Sequence, residues 1–287
     1  MYGQYIFNNT VISPAQAGVN DHNQFGALTR YQWLGMDGAP VTHSAFFNLR
    51  LPARLGMALG VYQDNIGPVT DLTVQTDLAF HTRLSRNWSI AAGIRLSASE
   101  LRINFLNLDH VDHNDPNFNE NIRTGLQLNV GAGLLFFSQN AFFGVAVPKA
   151  HKNGFGDTPP GGYSVARHFF GYGGANFTLS QGVSFSPSFL VKYPESAPVQ
   201  LDFNAVFGLG EWFDFGPVIR SNLDDGWVDA VGFLAGLHLG ERWYFGYMFE
   251  YPANAMNLAT RQSHEISLRY KWGMPRDIRI RSPRYFL

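Results

Sequence analysis

"TGLQLNVGAGLLFFSQNAFFGVAVP", residues 124–148, runs for twenty-five residues without a charge. That length would cross a bilayer as a helix. The stretch nevertheless carries four glycines, Gln127 and Asn129, and Ser138-Gln139-Asn140 within its apolar half. Leu126, Leu128, Val130, Ala132, Leu134 and Phe136 occupy one parity, and Gln127, Asn129, Gly131 and Gly133 the other. The period is two, which is that of a strand and not of a helix. Ser138-Gln139-Asn140 then reads as a tight turn, with Phe142 to Val147 starting the return strand.

The same alternation recurs along the chain. Leu72, Val74, Leu78 and Phe80 interleave with Thr73, Gln75 and Asp77, and Leu201, Phe203, Ala205 and Phe207 with Gln200, Asp202 and Asn204. Trp243, Phe245, Tyr247, Phe249 and Tyr251 interleave with Tyr244, Gly246 and Glu250, and Ile266, Leu268, Tyr270 and Trp272 with Glu265, Ser267, Arg269 and Lys271. The pattern predicts fourteen strands, at 22–35, 41–52, 54–64, 69–84, 87–105, 124–137, 141–148, 163–179, 183–193, 198–208, 211–220, 228–239, 242–251 and 262–272. Most reach the roughly 9–11 residues that a tilted transmembrane strand needs.

Connections give an independent signal. Every other one is tiny, around Pro52-Ala53, Ser85-Arg86, Ser138-Gln139-Asn140, Ser180-Gln181-Gly182, Gly208-Leu209-Gly210 and Gly240-Glu241. Those between are mostly longer: 36–40, 65–68, 106–123, 149–162, 194–197, 221–227 and 252–261. Short turns at one end and long loops at the other predict an all-β fold, an antiparallel transmembrane β-barrel of the outer-membrane type with about 14 strands. An even count returns both termini to the periplasmic end.

Composition agrees. Of 287 residues, 45% are hydrophobic and only 15% charged, and the net charge of −1 argues against a nucleic-acid partner. Aromatics reach 15%, yet the mean hydropathy is slightly negative. Sheets greasy outside and wet inside have this balance. Without cysteine, disulfides and thiolate metal sites are excluded. The opening "MYGQYIFNNT" has neither a basic nor an apolar leader region, and the reading takes a signal peptide as removed.

A soluble β-sandwich shows the same alternation. These strands are longer than the soluble average of about 5–6 residues. Rings at Trp33, Trp88, Trp243, Tyr251, Tyr270 and Trp272 also fall near strand ends, as interfacial girdles do. The opposite parity supplies Arg30, Gln32, Asn48, Arg50, Asp77, Arg95, Asp202, Glu250, Glu265, Arg269 and Lys271 to a polar lumen of both charge signs. Facing lipid, each charge would cost up to about 2–4 kcal/mol. Fourteen strands enclose more space than side chains alone fill.

Three units follow: an N-terminal segment at 1–21, a barrel at 22–272 and a basic tail at 273–287. The first is too apolar for a solvated tail, and Tyr5, Phe7, Ile12 and Pro14 are its candidate plug residues, with the periplasmic rim as the other place to dock. In the tail, Arg281, Arg284, Tyr285 and Phe286 suit a periplasmic docking peptide or attraction to lipid headgroups.

No phosphate loop, nucleophile elbow or His-Glu-x-x-His occurs. Asp109, His110, Asp112, His113, Asp115 and Glu120 form a cluster in loop 106–123 that could bind a cation, but a long wet loop has the same composition. The chain reads as a non-enzyme without a cofactor.

Four stretches carry a resemblance to a known family. "QYIFNNTVISPAQAG" (4–18), "RYQWLGMDGAPVTHSAFFNLRL" (30–51), "LGVYQDNIGPVTDLTVQTDLAFHTRLS" (59–85) and "RIRSPRYF" (279–286) resemble the opening, first two hairpins and tail of the PorP/SprF membrane proteins of the type IX secretion system of Bacteroidota. Asn9-Thr10 departs from the more usual Asn-Pro-type sequence. The resemblance implies an outer-membrane component that binds cargo such as gliding adhesins through a C-terminal sorting domain, and supports export and surface attachment. It also implies partners among the periplasmic and outer-membrane secretion components. Trp33, Asp37, Gly38, Pro40, Asp64, Gly67 and Pro68 are the candidate partner-binding residues of the turn motifs, and a backbone role for the glycines and prolines competes with contact. The alternative function is a small-molecule diffusion channel or a fatty-acid-type transporter.

Overall fold

The uncharged stretch is a hairpin of the wall of a barrel. The computed structural model describes residues 3–104, 121–151, 154–155, 163–164, 167–195, 197–223, 227–253 and 262–273. The first strands are β1 (Asn23–Tyr31), β2 (Val41–Arg50), β3 (Leu55–Ile66), β4 (Val69–Arg83) and β5 (Ser89–Ile103). Next come β6 (Gln127–Phe137), β7 (Ala141–Val147), β8 (His168–Ala175, resuming as Phe177–Ser180) and β9 (Val183–Pro194). The last are β10 (Gln200–Leu209), β11 (Phe213–Asn222), β12 (Trp227–Leu239), β13 (Trp243–Pro252) and β14 (Ser263–Trp272).

Each strand pairs antiparallel with its chain neighbours, and β1 pairs with β14 from Asn23↔Trp272 to Tyr31↔His264. The fourteen strands therefore close a ring with no free edge, which lets a sheet sit in lipid with its backbone groups satisfied. No helix of the described residues is long and apolar enough to cross a membrane.

The parity rule holds in three dimensions. Leu128 and Val130 are 61% and 55% exposed, while Asn129 between them is 3% exposed and points inward. Trp88, Trp243 and Tyr251 are exposed at strand ends on the outer face, and the Trp243 ring lies 4.7 Å from that of Tyr270.

Three differences from the sequence reading have local causes. The first strand stops at Tyr31, and Trp33 adopts a positive φ of 50° in the following loop, so it is not part of the girdle. The β3–β4 connection, expected to be long, is the two-residue turn Gly67-Pro68, made possible by a φ of 54° at Gly67. The eighth strand begins at His168 and not at 163, because Tyr163–Ser164 pairs separately with Gly154–Phe155.

Residues 3–20 precede the wall and lie against its inner face. They make three short 3-10 turns, Tyr5–Phe7, Asn9–Val11 and Pro14–Gln16. Ser13 caps the third, accepting a bond from the Ala15 N–H (3.3 Å), with Pro14 at its first position. Tyr5, Phe7, Ile12, Ala15, Ala17 and Val19 are all buried.

Candidate functional site

The lumen is where the sequence concentrates its cost, and its chemistry divides in two. On one side, inward positions of six strands build a continuous ion ladder. Lys192 pairs with Asp202, and Asp202 accepts from Arg220 Nε at 2.9 Å. Arg220 Nη1 reaches Glu250 at 3.1 Å, Arg30 Nη2 reaches Glu250 at 2.7 Å, and Arg30 also pairs with Glu265. Three acids and three bases alternate, so the ladder is neutral as a whole. Buried charges persist when paired and hydrogen-bonded in this way.

The N-terminal segment completes the ladder. The backbone N–H groups of Gly3 and Gln4 donate to the Glu265 carboxylate at 2.7 and 3.0 Å. The Gln4 amide donates to the Glu265 carbonyl (3.2 Å) and accepts from Ser267 Oγ (2.7 Å). The Arg269 guanidinium lies over the rings of both Phe7 and Tyr244, 4.7 and 4.2 Å from their centroids, and the two rings are themselves 4.7 Å apart. Its Nε and Nη2 make no hydrogen bond among the described residues, which leaves the ring faces as its partners.

On the other side the wall is apolar. Ile12, Ala15 and Val19 of the segment join Ala91, Leu135, Phe137, Phe142, Tyr172 and Leu190 of the wall in one buried cluster. The backbone comes so close that a Cβ at Gly93 would overlap the Pro14–Ala15 peptide, and only glycine fits. Polar anchors flank this contact. Arg95, held by Asp77 in a two-pronged pair (2.7 and 2.8 Å), donates to the carbonyls of Thr10 and Val11, the latter at 3.2 Å. His81 Nε2 donates to the Ala17 carbonyl at 2.8 Å, and Asn48 accepts from the Gly18 N–H at 2.6 Å.

The long-loop end carries the turn motifs. The Gly67 N–H donates to the Gly38 carbonyl at 2.9 Å, and a Cβ on Gly38 would lie 3.2 Å from Gly67 Cα. The two motifs are thus joined through backbone. Pro40 is buried and its carbonyl accepts from the Gln32 N–H (2.9 Å), Asp64 accepts from the Thr42 hydroxyl, and the Pro68 carbonyl accepts from the Asn104 N–H (3.0 Å). Asp37 is exposed. The Trp33 N–H donates to Ser263 Oγ at 3.3 Å, holding the residue in its left-handed backbone conformation.

Two cavities open at this end. One, of 290 Å³, is lined by Val11, Tyr62 and Phe170 with Asp64, Asp71 and Lys149 around them. The other, of 250 Å³, has Trp33, Gln32 and Gln200 above Arg30, Arg220 and Glu250 of the ladder. Among the described residues, no group of three or more His, Asp or Glu is placed to hold a metal ion. The acidic loop residues 109–120 and the tail residues Arg281, Arg284, Tyr285 and Phe286 lie outside the described residues.

The sequence reading missed Lys192, Arg220 and Asp214. Asp214 pairs with His238 at 2.7 Å on the inner face. The available signal was parity: Lys192 shares that of Ser186 and Ser188, and Arg220 that of Gly216 and Val218. Apolar neighbours on both faces, such as Phe189, Leu190 and Val191, masked it.

A family model described as "Type IX secretion system membrane protein PorP/SprF" matches residues 1–270. No curated protein matches the sequence. Among solved structures, the chain is similar to the Ralstonia pickettii toluene transporter TbuX, with a TM-score of 0.56 at 9% identity over 93% of this chain and 94% of that one. A Pseudomonas aeruginosa FadL homologue gives 0.54 at 11% identity, with 94% of each chain covered. The CymD monoaromatic hydrocarbon channel gives 0.53 at 8% identity, over 94% of this chain and 92% of that one. At these identities the likeness is one of fold: all are barrels.

Proposed function

The chain belongs to the PorP/SprF family of type IX secretion system membrane proteins, and from that premise we propose that it holds secreted cargo at the outer membrane instead of conducting it. Family and fold together point to the outer membrane, and neither is an enzyme class. By the general orientation of such barrels, the short turns face the periplasm and the long loops the outside.

One observation carries the reading: residues 3–20 lie inside the ring, bonded to inward residues of opposite walls. A lumen occupied in this way acts as plugged, and Tyr5, Phe7, Ile12 and Pro14 are its plug residues. Cargo such as a gliding adhesin then docks from outside through its C-terminal domain, on the rim where Trp33, Asp37, Gly38, Pro40, Asp64, Gly67 and Pro68 lie. Gly38, Gly67 and Pro40 set the backbone of that rim, and Trp33 and Asp37 are its contact residues. The basic tail, through Arg281, Arg284, Tyr285 and Phe286, reaches periplasmic components of the same system.

Pull-down of the barrel from its own cells is the deciding experiment. The expected result is a large surface protein retained through its C-terminal domain and lost when that domain is removed. Steady ion conductance of the intact chain, with no cargo retained, overturns the reading. Deleting residues 2–18 is expected to raise conductance, and truncation after Trp272 to release the periplasmic components.

A second reading, a channel for small apolar molecules, is favoured by the cavity lined by Val11, Tyr62 and Phe170. A hydrophobic ligand purifying with the barrel, and displaced by Tyr62→Trp, would establish it.

A further inference from the structure

At the short-turn end, Ser89 pairs with Phe137, so the turn between β4 and β5 lies beside the turn between β6 and β7. The two enclose a cavity of 420 Å³, larger than either cavity at the long-loop end. Arg83, Arg86, Asn87, Gln139 and Asn140 line it, and no Asp or Glu does. Arg54 stands on the next turn, its Nη1 reaching Thr82 Oγ1 at 3.5 Å. Across the ring, the turn after β10 carries Glu211, and that after β12 carries Glu241 beside Arg242. The rim is thereby uneven, cationic at β2–β5 and of mixed sign at β10–β13.

The chemistry of this cleft selects an anion. A concave site with one sign of charge focuses field into its mouth, and guanidinium forks match carboxylates two bonds at a time. Its position selects among anions. Ser89 and Phe137, which line it, are buried on the inward parity, and Arg83 shares the parity of inward His81. Trp88, which also lines it, is 40% exposed on the outward face and marks the edge of the hydrocarbon. The floor of the cleft thus faces the aqueous mouth of the barrel, inside the ring, with Trp88 at its outer edge.

We propose that this cleft binds an Asp- or Glu-rich segment of a periplasmic protein. The proposal rests on the reading above only in placing the short turns in the periplasm. Phe137, which lines the cleft, packs edge-on against His81 (6.5 Å), which holds the Ala17 carbonyl, so the cleft backs onto an anchor of the N-terminal segment.

The test uses the full chain in phosphatidylcholine nanodiscs and a fluorescein-labelled Glu-Ser repeat peptide. Saturable binding that weakens with added salt is expected. Arg86→Glu, in an exposed turn, should weaken it roughly tenfold, and Arg242→Glu on the opposite rim should leave it unchanged. Arg86→Gln, which keeps the turn polar, should give an intermediate loss, and heat-modifiable gel migration reports that each variant is folded. No binding to the wild-type chain, or equal losses from Arg86→Glu and Arg242→Glu, overturns the proposal. So does abolition of peptide binding by phosphatidylglycerol in the disc, which would make a lipid phosphate the occupant. Cargo retention that fails while peptide binding persists removes the export reading and spares the cleft; the converse removes the cleft alone.

Discussion

The two walls of the lumen hold the same N-terminal segment by different physics. On the β9–β11 and β13–β1 side, the segment's first amides add to a carboxylate already committed to Arg30. On the β5–β9 side, Ile12 and its neighbours bury apolar surface against Leu135, Phe137 and Tyr172. The ionic wall is strict, because each member leaves a stranded charge if its partner goes. The apolar wall is tolerant in kind but not in volume, since close packing registers each methylene. A segment held by both has one register: the charges set where it ends and the packing sets how closely it lies.

The largest effect is expected from breaking the ladder. Arg30→Met leaves Glu250 and Glu265 each short of a partner in a buried site and should cost about 3–5 kcal/mol. Denaturant unfolding of the detergent-solubilised barrel measures it. Adding Glu265→Gln should recover part of the loss, and full additivity of the two changes would show that the ladder is not coupled.

The apolar wall should give less. Ile12→Ala removes a fully buried side chain and should cost about 2–5 kcal/mol of the segment's docking, while the barrel itself persists. Limited proteolysis separates the two, since the segment should become cleavable before the wall unfolds. Equal loss of segment and barrel would mean that the wall depends on what fills it.

The contrast between the walls also explains what the sequence could reveal. All fourteen strands were legible because hydrocarbon and water impose opposite demands on alternate residues, as at Leu128, Asn129 and Val130. Arg30, Asp77, Arg95, Asp202, Glu250 and Glu265 were legible as inward for the same reason. Lys192 and Arg220 were not, because where the lumen is packed by protein the inner face is apolar too, and alternation fades around Leu190 and Val218. The apolar opening signalled that residues 3–20 must be buried. Its three 3-10 turns carry no hydrophobic period, and their shape is set by the wall, through Gly93 and Arg95. The turn motifs were visible as motifs, but the bond between Gly38 and Gly67 depends on the register of β2 against β3, which sets the two connections side by side.

Adding volume should test the apolar wall more gently than removing it. Gly93→Ala places a methyl where the Pro14–Ala15 backbone now lies, and the segment must shift, at about 1–3 kcal/mol. The expected signs are cleavage within residues 3–20 and a small rise in conductance, with the unfolding midpoint of the barrel nearly unchanged. Retained protection would place the segment's register in the ladder alone.

The smallest effect belongs to Asp21, at the hinge where the segment turns into β1, outside both the ladder and the apolar cluster. Its carboxylate accepts a bond from the neighbouring His22 ring (2.9 Å), which holds its pKa below the ordinary 3.8, with burial opposing and Arg50 assisting. A depressed carboxylate pKa means that the folded state binds the proton more weakly than the unfolded chain. The contribution is therefore complete above pH 3.8 and is lost as pH falls through the folded value. Asp21 is partly exposed, so solvent screens the interaction and the effect is slight. Asp21→Asn should flatten the acid limb of the segment's protease protection and leave neutral pH unchanged. If the limb persists in that variant, the acid sensitivity of the segment does not come from Asp21.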